Sequence, residues 1–417
     1  MYIVSEYFFR RVPMIIEMFP AENGDAFLVR LDNGENILID MGYNETYSKF
    51  IKNRLIDLKN ENQCINLLVI THIDEDHIEG AIEFFRENGY ANKPNIIEVK
   101  EIWYNSYRHL QFNKEKVSQI SRFEKRKLEE IKLTNSSNSR NIIDESVSIS
   151  AKQGSTLAGY LYGFGYADTR WNTSFNYKAI NLDTNNILKF EDMKLHILSP
   201  NTRKLKKLAD LWTNKLLEID IDFNISDDKV FDDAYEMYMK KLKEDIGVNE
   251  NNDISYKSRK FKSIVSDDIN QSYKDQSKSN GSSISFILEY KGKRIVFLGD
   301  AHEDIILENL ERYIKNTGIS YFEVVKISHH GSLKNNFNWI EKIKAKRYLI
   351  STNGRHKHPD KEVISKILQC NSEEKIIYFN YYLDLCKELD DKELKDKYNY
   401  SIEVGDGESI LKIEVNE

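Results

Sequence analysis

The chain has 417 residues, of which 40% are hydrophobic, 12% aromatic and 30% charged. This composition is typical of a globular protein and excludes a disordered or membrane-embedded chain. The net charge of -7 gives no case for nucleic-acid binding through overall charge, so local basic patches or metal ions would have to hold a polyanion.

The cysteines and the first residues bear on the cellular setting. Three widely separated cysteines form no CxxC pair, so they imply neither a zinc ribbon nor a disulfide framework, and a reducing, cytoplasmic setting is expected. Residues 1–18 contain charges, and no uncharged run approaches the ~20 residues that span a bilayer. We therefore expect no secretory signal and no membrane partner.

The chain begins with three predicted strands, at Met14–Phe19, Ala26–Leu31 and Asn36–Asp40. The turn between the first two contains Gly24-Asp25, and the third ends in Asp40-Met41-Gly42. A helix is predicted from about Tyr47 to Leu58, ahead of the strand Ile65–Ile70.

The loop after that strand reads Thr-His-Ile-Asp-Glu-Asp-His and leads into a helix predicted over Ile78–Asn88. It brings together four residues of metal-binding type: His72, Asp74, Asp76 and His77. Helix capping by the Asp residues is the alternative, but capping does not explain two imidazoles interleaved with two carboxylates. The segment therefore indicates a metal site.

The middle of the chain is more polar. A strand at Ile96–Trp103 precedes a charged region over residues 110–140, predicted to be a solvated helix with a nucleic-acid surface as the alternative. The pattern then predicts a helix at Ser148–Tyr162, a hairpin of Ile187–Phe190 and Met193–Leu198, charged helices over 201–247, and a loop or mobile linker over 249–281.

The last third again predicts alternating strands and helices. Candidate residues follow three of the predicted strands. Asp300 follows the hairpin of Ser283–Tyr290 and Arg294–Leu298, and the pair His329 and His330 follows the strand Phe322–Ile327. His358 lies after the strand Lys346–Ile350. Helices are predicted at 303–314 and 361–368, and strands at 375–379 and 409–415. Seven of the nine histidines lie in these few loops: His72, His77, His302, His329, His330, His356 and His358. Scattered core histidines would not collect at strand ends, so the pattern favours a metal site.

These motifs together resemble a known family. Thr-His-Ile-Asp-Glu-Asp-His, Leu-Gly-Asp, His-His-Gly-Ser and His-Pro, in that order, are similar to the metallo-β-lactamase fold, and more narrowly to the hydrolase domain of the DNA-uptake competence protein ComEC and its stand-alone bacterial relatives. The likeness covers residues 14–105 and 280–360. It implies an α+β fold, a four-layer αββα sandwich with metals at one edge. The whole chain, 1–417, is then expected to be one such domain, with residues 201–280 as an inserted helical segment and mobile linker.

The resemblance also implies a ligand set for two divalent ions, with Asp300 bridging them. The implied ligands are His72, Asp74, Asp76, His77, Asp300 and one of His329 and His330. Many members have a histidine where this chain has Asp74, and a further histidine before the bridging Asp, for which only His109 and His196 are available. Ordinary structural roles are the alternative for both, so the second site is expected to be oxygen-rich. Both Mn²⁺ and Zn²⁺ therefore remain candidate metals, and a site occupied by one ion remains an alternative.

Two further residues are expected in catalysis. Asp76 would orient the attacking water, and His358 would donate a proton to the leaving group or bind a phosphate oxygen, with an ordinary surface histidine as its alternative. His356 is expected to be a surface residue. Strand alternation places Lys326 on the solvated face, which weakens a phosphate-binding role for it.

The leading hypothesis is a phosphodiesterase, a nuclease acting on DNA or RNA in bacterial DNA processing or antiphage defence. The alternative is a hydrolase of a small-molecule ester, lactone or phosphocholine ester. A third hypothesis is a vestigial metal site and a protein partner bound by the inserted helices. Basic clusters at Lys125–Lys127, Arg203–Lys207 and Lys257–Lys262 favour nucleic acid if they converge on the metal cleft.

Overall fold

Two β-sheets form the centre of the molecule. The computed structural model describes residues 14–110, 122–123, 125–128, 130, 156–190, 192–218, 229–246, 260–265, 274–370 and 372–415. Within these residues one sheet has six strands and the other eight. The strands are β1 Met14–Met18, β2 Phe27–Arg30, β3 Asn36–Ile39, β4 Leu67–Val69, β5 Ile102–Trp103, β6 Ile187–Lys189, β7 Met193–Ser199, β8 Ser285–Tyr290, β9 Lys293–Phe297, β10 Tyr321–Lys326, β11 Lys344–Ile350, β12 Lys375–Phe379, β13 Tyr400–Val404 and β14 Leu411–Val415.

The first sheet has the order β14-β1-β2-β3-β4-β5. Its outer strand comes from the far end of the chain, because Met14 pairs with Val415 in antiparallel register. Strands β3, β4 and β5 run parallel, so the loops that follow them leave from one edge of the sheet. The predicted strand over Ile96–Trp103 is shorter than expected, since only its last two residues join β4 as a strand.

The second sheet has the order β13-β12-β11-β10-β9-β8-β7-β6. Strands β9 to β13 are parallel, while β6, β7, β8 and β9 form antiparallel hairpins. Strands β10 and β11, in the middle of the parallel part, are mostly buried towards their carboxyl ends, as expected where a sheet is covered on both faces. The loops after β9, β10 and β11 therefore lie side by side.

Helices pack on the two sheets, and their bounds agree with the predicted ones to within a few residues where both exist. They are α1 Asn44–Thr46, continued by a π-helical turn at Tyr47–Ile51 into α2 Lys52–Asn60, α3 Glu75–Asn88, α4 Leu157–Gly163, α5 Thr202–Glu218, α6 Lys229–Ile246, α7 Phe261–Ile264, α8 Lys278–Gly281, α9 Glu303–Thr317, α10 Lys361–Gln369, α11 Asp384–Leu389 and α12 Lys392–Tyr398. Short 3-10 turns lie at Tyr107–Leu110, Thr173–Phe175, His329–Gly331 and Trp339–Lys342.

Two hydrophobic cores accompany the sheets. One contains residues from both sheets, including Phe27 and Phe297, whose rings pack edge to face. The other joins α3 to α5 and α6, because Phe84, Trp212 and Tyr235 belong to the same buried cluster. Helices α5 and α6 thus share a core with the helix that follows the predicted metal loop. This two-sheet arrangement with helices agrees with the expected metallo-β-lactamase-like sandwich.

Some predicted segments lie outside the described residues. They include residues 1–13, most of the charged region over 110–140, the start of the helix predicted from Ser148, and parts of the predicted linker over 249–281. No helix in the described part of the chain is both long and apolar enough to cross a bilayer.

Candidate metal centre

The predicted site residues follow the carboxyl ends of strands that neighbour one another. Residues 71–77 follow β4, Asp300 follows β9, His329 and His330 follow β10, and Ser351 follows β11. Since parallel strands deliver their carboxyl ends to one edge of a sheet, these loops meet between the two sheets. The strand ends thus bring together residues that are far apart in sequence.

Two glycines fix the position of the loop that carries His72 to His77. A Cβ atom on Gly24 would lie 2.0 Å from the backbone oxygen of Asp76, and one on Gly80 would lie 2.1 Å from that of Met41. Only glycine permits both approaches. The backbone N–H of Asp25 also donates to the Asp76 carbonyl at 3.2 Å. The turn that contains Asp25 is therefore held against the start of α3.

Asp300 lies at the centre of the site. Its Oδ2 atom is 3.6 Å from the Nε2 atoms of both His77 and His330. The Nε2 atom of His72 is 3.8 Å from the same oxygen. Asp76 approaches from the helix, with Oδ2 3.6 Å from Nε2 of His330. All five side chains are buried, so their ionisable groups face one another in a volume shielded from solvent.

The three imidazoles present bare nitrogens to this centre. The buried Nε2 atoms of His72, His77 and His330 have no hydrogen-bond partner. Buried polar atoms are nearly always paired. Three unpaired imidazole nitrogens that converge on one carboxylate therefore have the chemistry of metal ligands. The ligand atoms of His72, His77 and Asp300 lie within 4.8 Å of one another, as do those of Asp76, His77 and His330. These residues fit a divalent metal ion.

The opposite ring nitrogens are held by the protein. Nδ1 of His77 lies 2.7 Å from Oδ2 of Asp40. The same carboxylate accepts from the backbone N–H of Thr71 at Oδ1 and from the Thr71 hydroxyl at Oδ2. Nδ1 of His330 lies 2.8 Å from the carbonyl oxygen of Ser351. Because a carboxylate or carbonyl acceptor requires a proton on Nδ1, Nε2 is the nitrogen that each ring would offer to a metal ion.

Asp74 lies on the His72 side of the centre. Its Oδ2 is 3.3 Å from Nε2 of His72, and its Oδ1 accepts a 2.6 Å hydrogen bond from the hydroxyl of Ser279. Asp74 also precedes the first turn of α3, but its side chain caps none of the helix N–H groups. The capping alternative therefore does not explain Asp74. Within the described residues this side of the centre offers one imidazole and the carboxylates of Asp74 and Asp300.

The two adjacent histidines occupy different positions. His330 is buried and lies within ligand distance of Asp76 and Asp300, whereas the side chain of His329 is 22% exposed, with Nε2 3.9 Å from Asp300 Oδ2. Both residues have left-handed backbone conformations, with φ of +45° and +52°. Such conformations are uncommon outside glycine and cluster at functional sites. The geometry favours His330 over His329 as the ligand.

A buried ion pair adjoins the centre. Lys326 is only 1% exposed, and its ammonium pairs with the carboxylate of Asp25 and donates to the carbonyl of Gly299 at 3.1 Å. The expectation that strand alternation places Lys326 on the solvated face is wrong, because the end of β10 is buried on both faces. The Asp25 carboxylate lies close to His330, 3.5 Å from its Nδ1. Asp25 therefore joins the group of candidate ligands with Asp300 and His330.

Electrostatics at the centre are dominated by carboxylates. Burial alone would lower the pKa of His77, but neighbouring carboxylates, led by Asp300 and Asp40, raise it well above its ordinary value. Burial alone would raise the pKa of Asp300, but the imidazoles of His330 and His77 hold it well below its ordinary value. The negative potential that draws protons onto these imidazoles also attracts a divalent cation.

His358 lies at the edge of the centre, with its ring centroid 5.3 Å from that of His329. Burial and the neighbouring positive rings, first His329, lower its pKa well below the ordinary value, so the ring is neutral at pH 7. Its buried Nδ1 has no hydrogen-bond partner. His356, two residues earlier, is exposed, as expected.

His109 and His196, the two histidines outside the strand-end loops, lie away from the centre. The ring of His109 packs on Trp171, and its Nδ1 accepts from the backbone N–H of Ser106. Nε2 of His196 is 3.2 Å from Glu289, and its ring packs on Tyr313. Neither belongs to a group of converging ligand atoms among the described residues.

Several residues at the site were not identified as such from the sequence. They are Asp25, Asp40, Asp275, Ser279, Asn280 and Asn335. The first two lie in segments that the sequence singles out, Gly24-Asp25-Ala26 and Ile39-Asp40-Met41-Gly42, which was the signal available for them. Ser279 and Asn280 are buried, so the end of the segment predicted to be a mobile linker is packed structure beside the centre.

Comparison with known proteins supports the family resemblance for part of the chain. Residues 20–137 match the family model of the metallo-beta-lactamase superfamily. The match includes Asp25, Asp40 and the segment His72–His77, and it ends before Asp300 and His330. A search of curated proteins gives no match. The superfamily consists mostly of hydrolytic enzymes that use divalent metal ions, so the match and the clustered ligands together indicate a metal-dependent hydrolase.

Proposed function

We propose that this metallo-β-lactamase superfamily domain is a metal-dependent phosphodiesterase, a nuclease that cleaves DNA or RNA. The observation that carries the metal dependence is the convergence of three unpaired buried Nε2 atoms on the carboxylate of Asp300. In the proposal Asp76, His77, His330 and Asp300 hold one divalent ion, and His72, Asp74 and Asp300 hold a second, which is Zn²⁺ or Mn²⁺ in either place.

When bound, such ions supply Lewis acidity at a phosphate oxygen and lower the pKa of water in the site towards neutrality. The protein's own groups then position the reactants. The Asp76 carboxylate accepts a hydrogen bond from the attacking water and orients it. The ring of His358 binds a phosphate oxygen through its N–H when neutral, or gives a proton to the leaving group when protonated, and its lowered pKa favours the first of these roles.

The surroundings of the centre bear on the choice between nucleic acid and a small molecule. Of the three basic clusters in the sequence, Arg203–Lys207 approaches the site, because Lys204 Nζ lies 2.8 Å from Nδ1 of His302, two residues after Asp300. Each cluster is paired in part, Lys204 with Asp304, Lys127 with Glu130 and Lys262 with Glu393, so its position beside the centre is what distinguishes Arg203–Lys207. Residues 257–259 of the third cluster lie outside the described residues. A basic segment next to the centre favours a polyanionic substrate.

The narrower resemblance to the hydrolase domain of the competence protein supports the same substrate class, and a role in bacterial DNA processing or antiphage defence follows from it by analogy. The inserted helices α5 and α6 remain available in this proposal as a docking surface for a protein partner.

The proposal is tested with protein reconstituted with Zn²⁺ or Mn²⁺. We expect it to cleave single-stranded DNA, double-stranded DNA or RNA, and to hydrolyse bis-p-nitrophenyl phosphate. The variant His77→Ala should lose these activities, while His196→Ala, which changes a histidine outside the centre, should retain them.

Two outcomes would contradict the proposal in different ways. Turnover of a lactone or a small carboxylic ester with nucleic acid left intact would identify a small-molecule hydrolase. Cleavage that persists in His77→Ala at the level of His196→Ala would exclude the metal centre as its source.

A further inference from the structure

A cavity of about 430 Å³ lies beside the metal centre and is not used by the ligands described above. Its walls come from α5, from residues 274–281, from the start of α9 and from the loop after β10. These segments extend from residue 204 to residue 334, and residues 274–281 are the packed end of the predicted linker. The cavity is therefore a product of the way the insertion folds back against the second sheet.

A single layer of side chains separates the cavity from the centre. Asp275 lines the cavity, and its Oδ2 is 3.6 Å from Nδ1 of His329, whose Nε2 faces Asp300. On the adjacent wall, Nε2 of His302 is 2.7 Å from the carbonyl oxygen of Ser277. A ligand in the cavity would thus lie directly beside a group bound at Asp300.

Lysines dominate the lining of the cavity. Five of them contribute: Lys204, Lys207, Lys274, Lys278 and Lys334. Lys207, Lys274 and Lys278 are exposed, and none forms an ion pair with a described residue. Exposed ammonium groups without an acidic partner retain their full attraction for an anion over the ~8 Å screening length of physiological salt.

Most acidic groups of the same cavity are already engaged. Asp304 pairs with Lys204 at 2.7 Å, and Glu303 accepts from the backbone N–H of Asn338. Asp275 accepts from the side-chain amides of Asn280 at 2.8 Å and Asn335 at 2.9 Å. Of the four carboxylates in the lining, only Asp304 is neutralised by a lysine, while Asp275 and Glu303 are held by neutral donors and Asp210 is exposed. Five lysines against four carboxylates leave the lining with a small excess of positive charge, and Lys207, Lys274 and Lys278 present that charge to a ligand.

We propose that this lysine-lined cavity binds a phosphate group of the nucleic-acid chain next to the phosphodiester that is cleaved at the metal centre. The inference rests on the proposed function and specifies how the substrate is held. Lys207, Lys274 and Lys278 contact the phosphate oxygens, and the polynucleotide passes from the cavity across the layer of Asp275 and His329 to Asp300. A substrate with only one phosphate cannot reach both places.

The test compares a cavity variant with a matched control. The cavity variant is Lys207→Ala/Lys274→Ala/Lys278→Ala. The control is Lys93→Ala/Lys178→Ala/Lys412→Ala, which removes three exposed lysines that lie outside the cavity and form no ion pair with a described residue. Both variants carry the same change in net charge, and all six positions are exposed, so folding should be preserved.

Cleavage of a short single-stranded oligonucleotide is measured over a series of salt concentrations, beside hydrolysis of bis-p-nitrophenyl phosphate. In the cavity variant we expect a higher KM for the oligonucleotide. Its logarithmic salt dependence should become shallower by about 0.7, the value for the loss of one neutralised phosphate of a single strand. Turnover of bis-p-nitrophenyl phosphate should match the wild type. The control variant should resemble the wild type with both substrates.

Three results would overturn the inference: an unchanged salt dependence in the cavity variant, an equal loss with bis-p-nitrophenyl phosphate, or the same loss in the control.

Binding of a labelled oligonucleotide to metal-free protein, followed by fluorescence anisotropy, separates this inference from the proposed function. If no preparation cleaves nucleic acid but only the cavity variant loses oligonucleotide binding, the nuclease proposal fails and the binding site stands. Inorganic phosphate that displaces the oligonucleotide at equal concentration would indicate a site for free phosphate and would overturn the assignment to a polynucleotide.

Discussion

Two groups of buried carboxylates lie in this molecule, and they differ in what surrounds them. One is the metal centre around Asp300. The other is the α6 acidic cluster, which consists of Asp232, Asp233 and Glu236. At the centre three imidazole nitrogens have no hydrogen-bond partner, and Oδ1 of Asp300 has none either.

In the α6 acidic cluster the carboxylate oxygens are met by protein donors. Asp232 accepts from the hydroxyl of Tyr162 at 2.7 Å and from the backbone N–H of Arg108 at 2.8 Å. Glu236 accepts from the backbone N–H groups of Leu157 and Ala158 at the start of α4. These bonds fasten α6 to the start of a neighbouring helix.

The comparison shows that buried acidic residues do not by themselves indicate a metal site. What distinguishes the centre is that its neighbouring groups are themselves ligands, whose lone pairs the protein leaves unsatisfied. At the α6 acidic cluster the neighbours are N–H and O–H donors, which complete the carboxylates without a cation. Loss of a carboxylate should therefore remove metal when it occurs at the centre, and should leave the metal content unchanged when it occurs in the α6 acidic cluster.

The largest difference is expected when each group loses a central carboxylate. Asp300→Asn should abolish metal binding and reduce phosphodiesterase activity by more than the roughly 100-fold that is typical of changes to residues that only orient the ligands, because it removes the shared ligand. Asp232→Asn should leave the metal content of the purified protein unchanged. Metal analysis and bis-p-nitrophenyl phosphate hydrolysis measure both variants, and a normal metal content in Asp300→Asn would contradict the assignment.

A smaller but still large difference is expected between the two adjacent histidines. His330→Ala removes a ring whose Nε2 approaches Asp76 and Asp300, so metal affinity and activity should fall together. His329→Ala should retain the metal and lose less activity, because its ring contacts Asp275 and lies at the rim. Isothermal titration with Zn²⁺ or Mn²⁺ ranks the two, and the reverse order would show that His329 is the ligand.

The partner of His77 should matter to an intermediate degree. Asp40→Asn keeps an acceptor for Thr71 but weakens the bond that fixes the ring proton on Nδ1 of His77. We expect metal affinity to fall by about 10- to 100-fold with little loss of stability. Competition with a chelating indicator dye measures the affinity, and an unchanged value would mean that Asp40 has only a structural role.

The smallest effect on the metal centre is expected from Glu236, which should instead produce a pH dependence of stability at the α6 acidic cluster. Burial raises the pKa of Glu236 from 4.5 to about 8. A carboxyl group whose pKa is raised on folding stabilises the protein fully below its unfolded pKa, and that contribution disappears as the pH rises through the folded value. Between pH 4.5 and about 8 the wild type should therefore lose stability relative to Glu236→Gln. Urea denaturation across this range measures the difference, and parallel curves for the two proteins would exclude it.

Much of the architecture could be predicted from sequence because hydrophobic runs and turns mark most strands and helices. The two C-terminal helices α11 and α12 and the strand β13 were not predicted. Strand β13 has mostly half-exposed residues, and α12 is rich in Lys, Glu and Asp, so neither has a clear apolar pattern. The position of β13 follows from its pairing with β12, which is a long-range property.

The candidate site divides in the same way. Ligands in compact motifs, such as those from His72 to His77, could be identified because their residue types and spacing are unusual. Lys326 could not be placed, because alternation assumes a strand with one solvated face. Asp275 and Ser279 could not be identified either, since a stretch rich in Asn, Asp, Ser and Lys has the composition of a linker whether or not it packs against other residues.

The pairing of β14 with β1 has a consequence for how the protein is made. During synthesis the first strand leaves the ribosome long before its outer neighbour, Leu411–Val415, exists. Contacts of such large sequence separation form slowly, and a strand that waits for its partner is open to pairing with other chains. The first sheet is therefore completed only when synthesis is nearly finished. A chain truncated before residue 411 would leave β1 as an exposed edge strand.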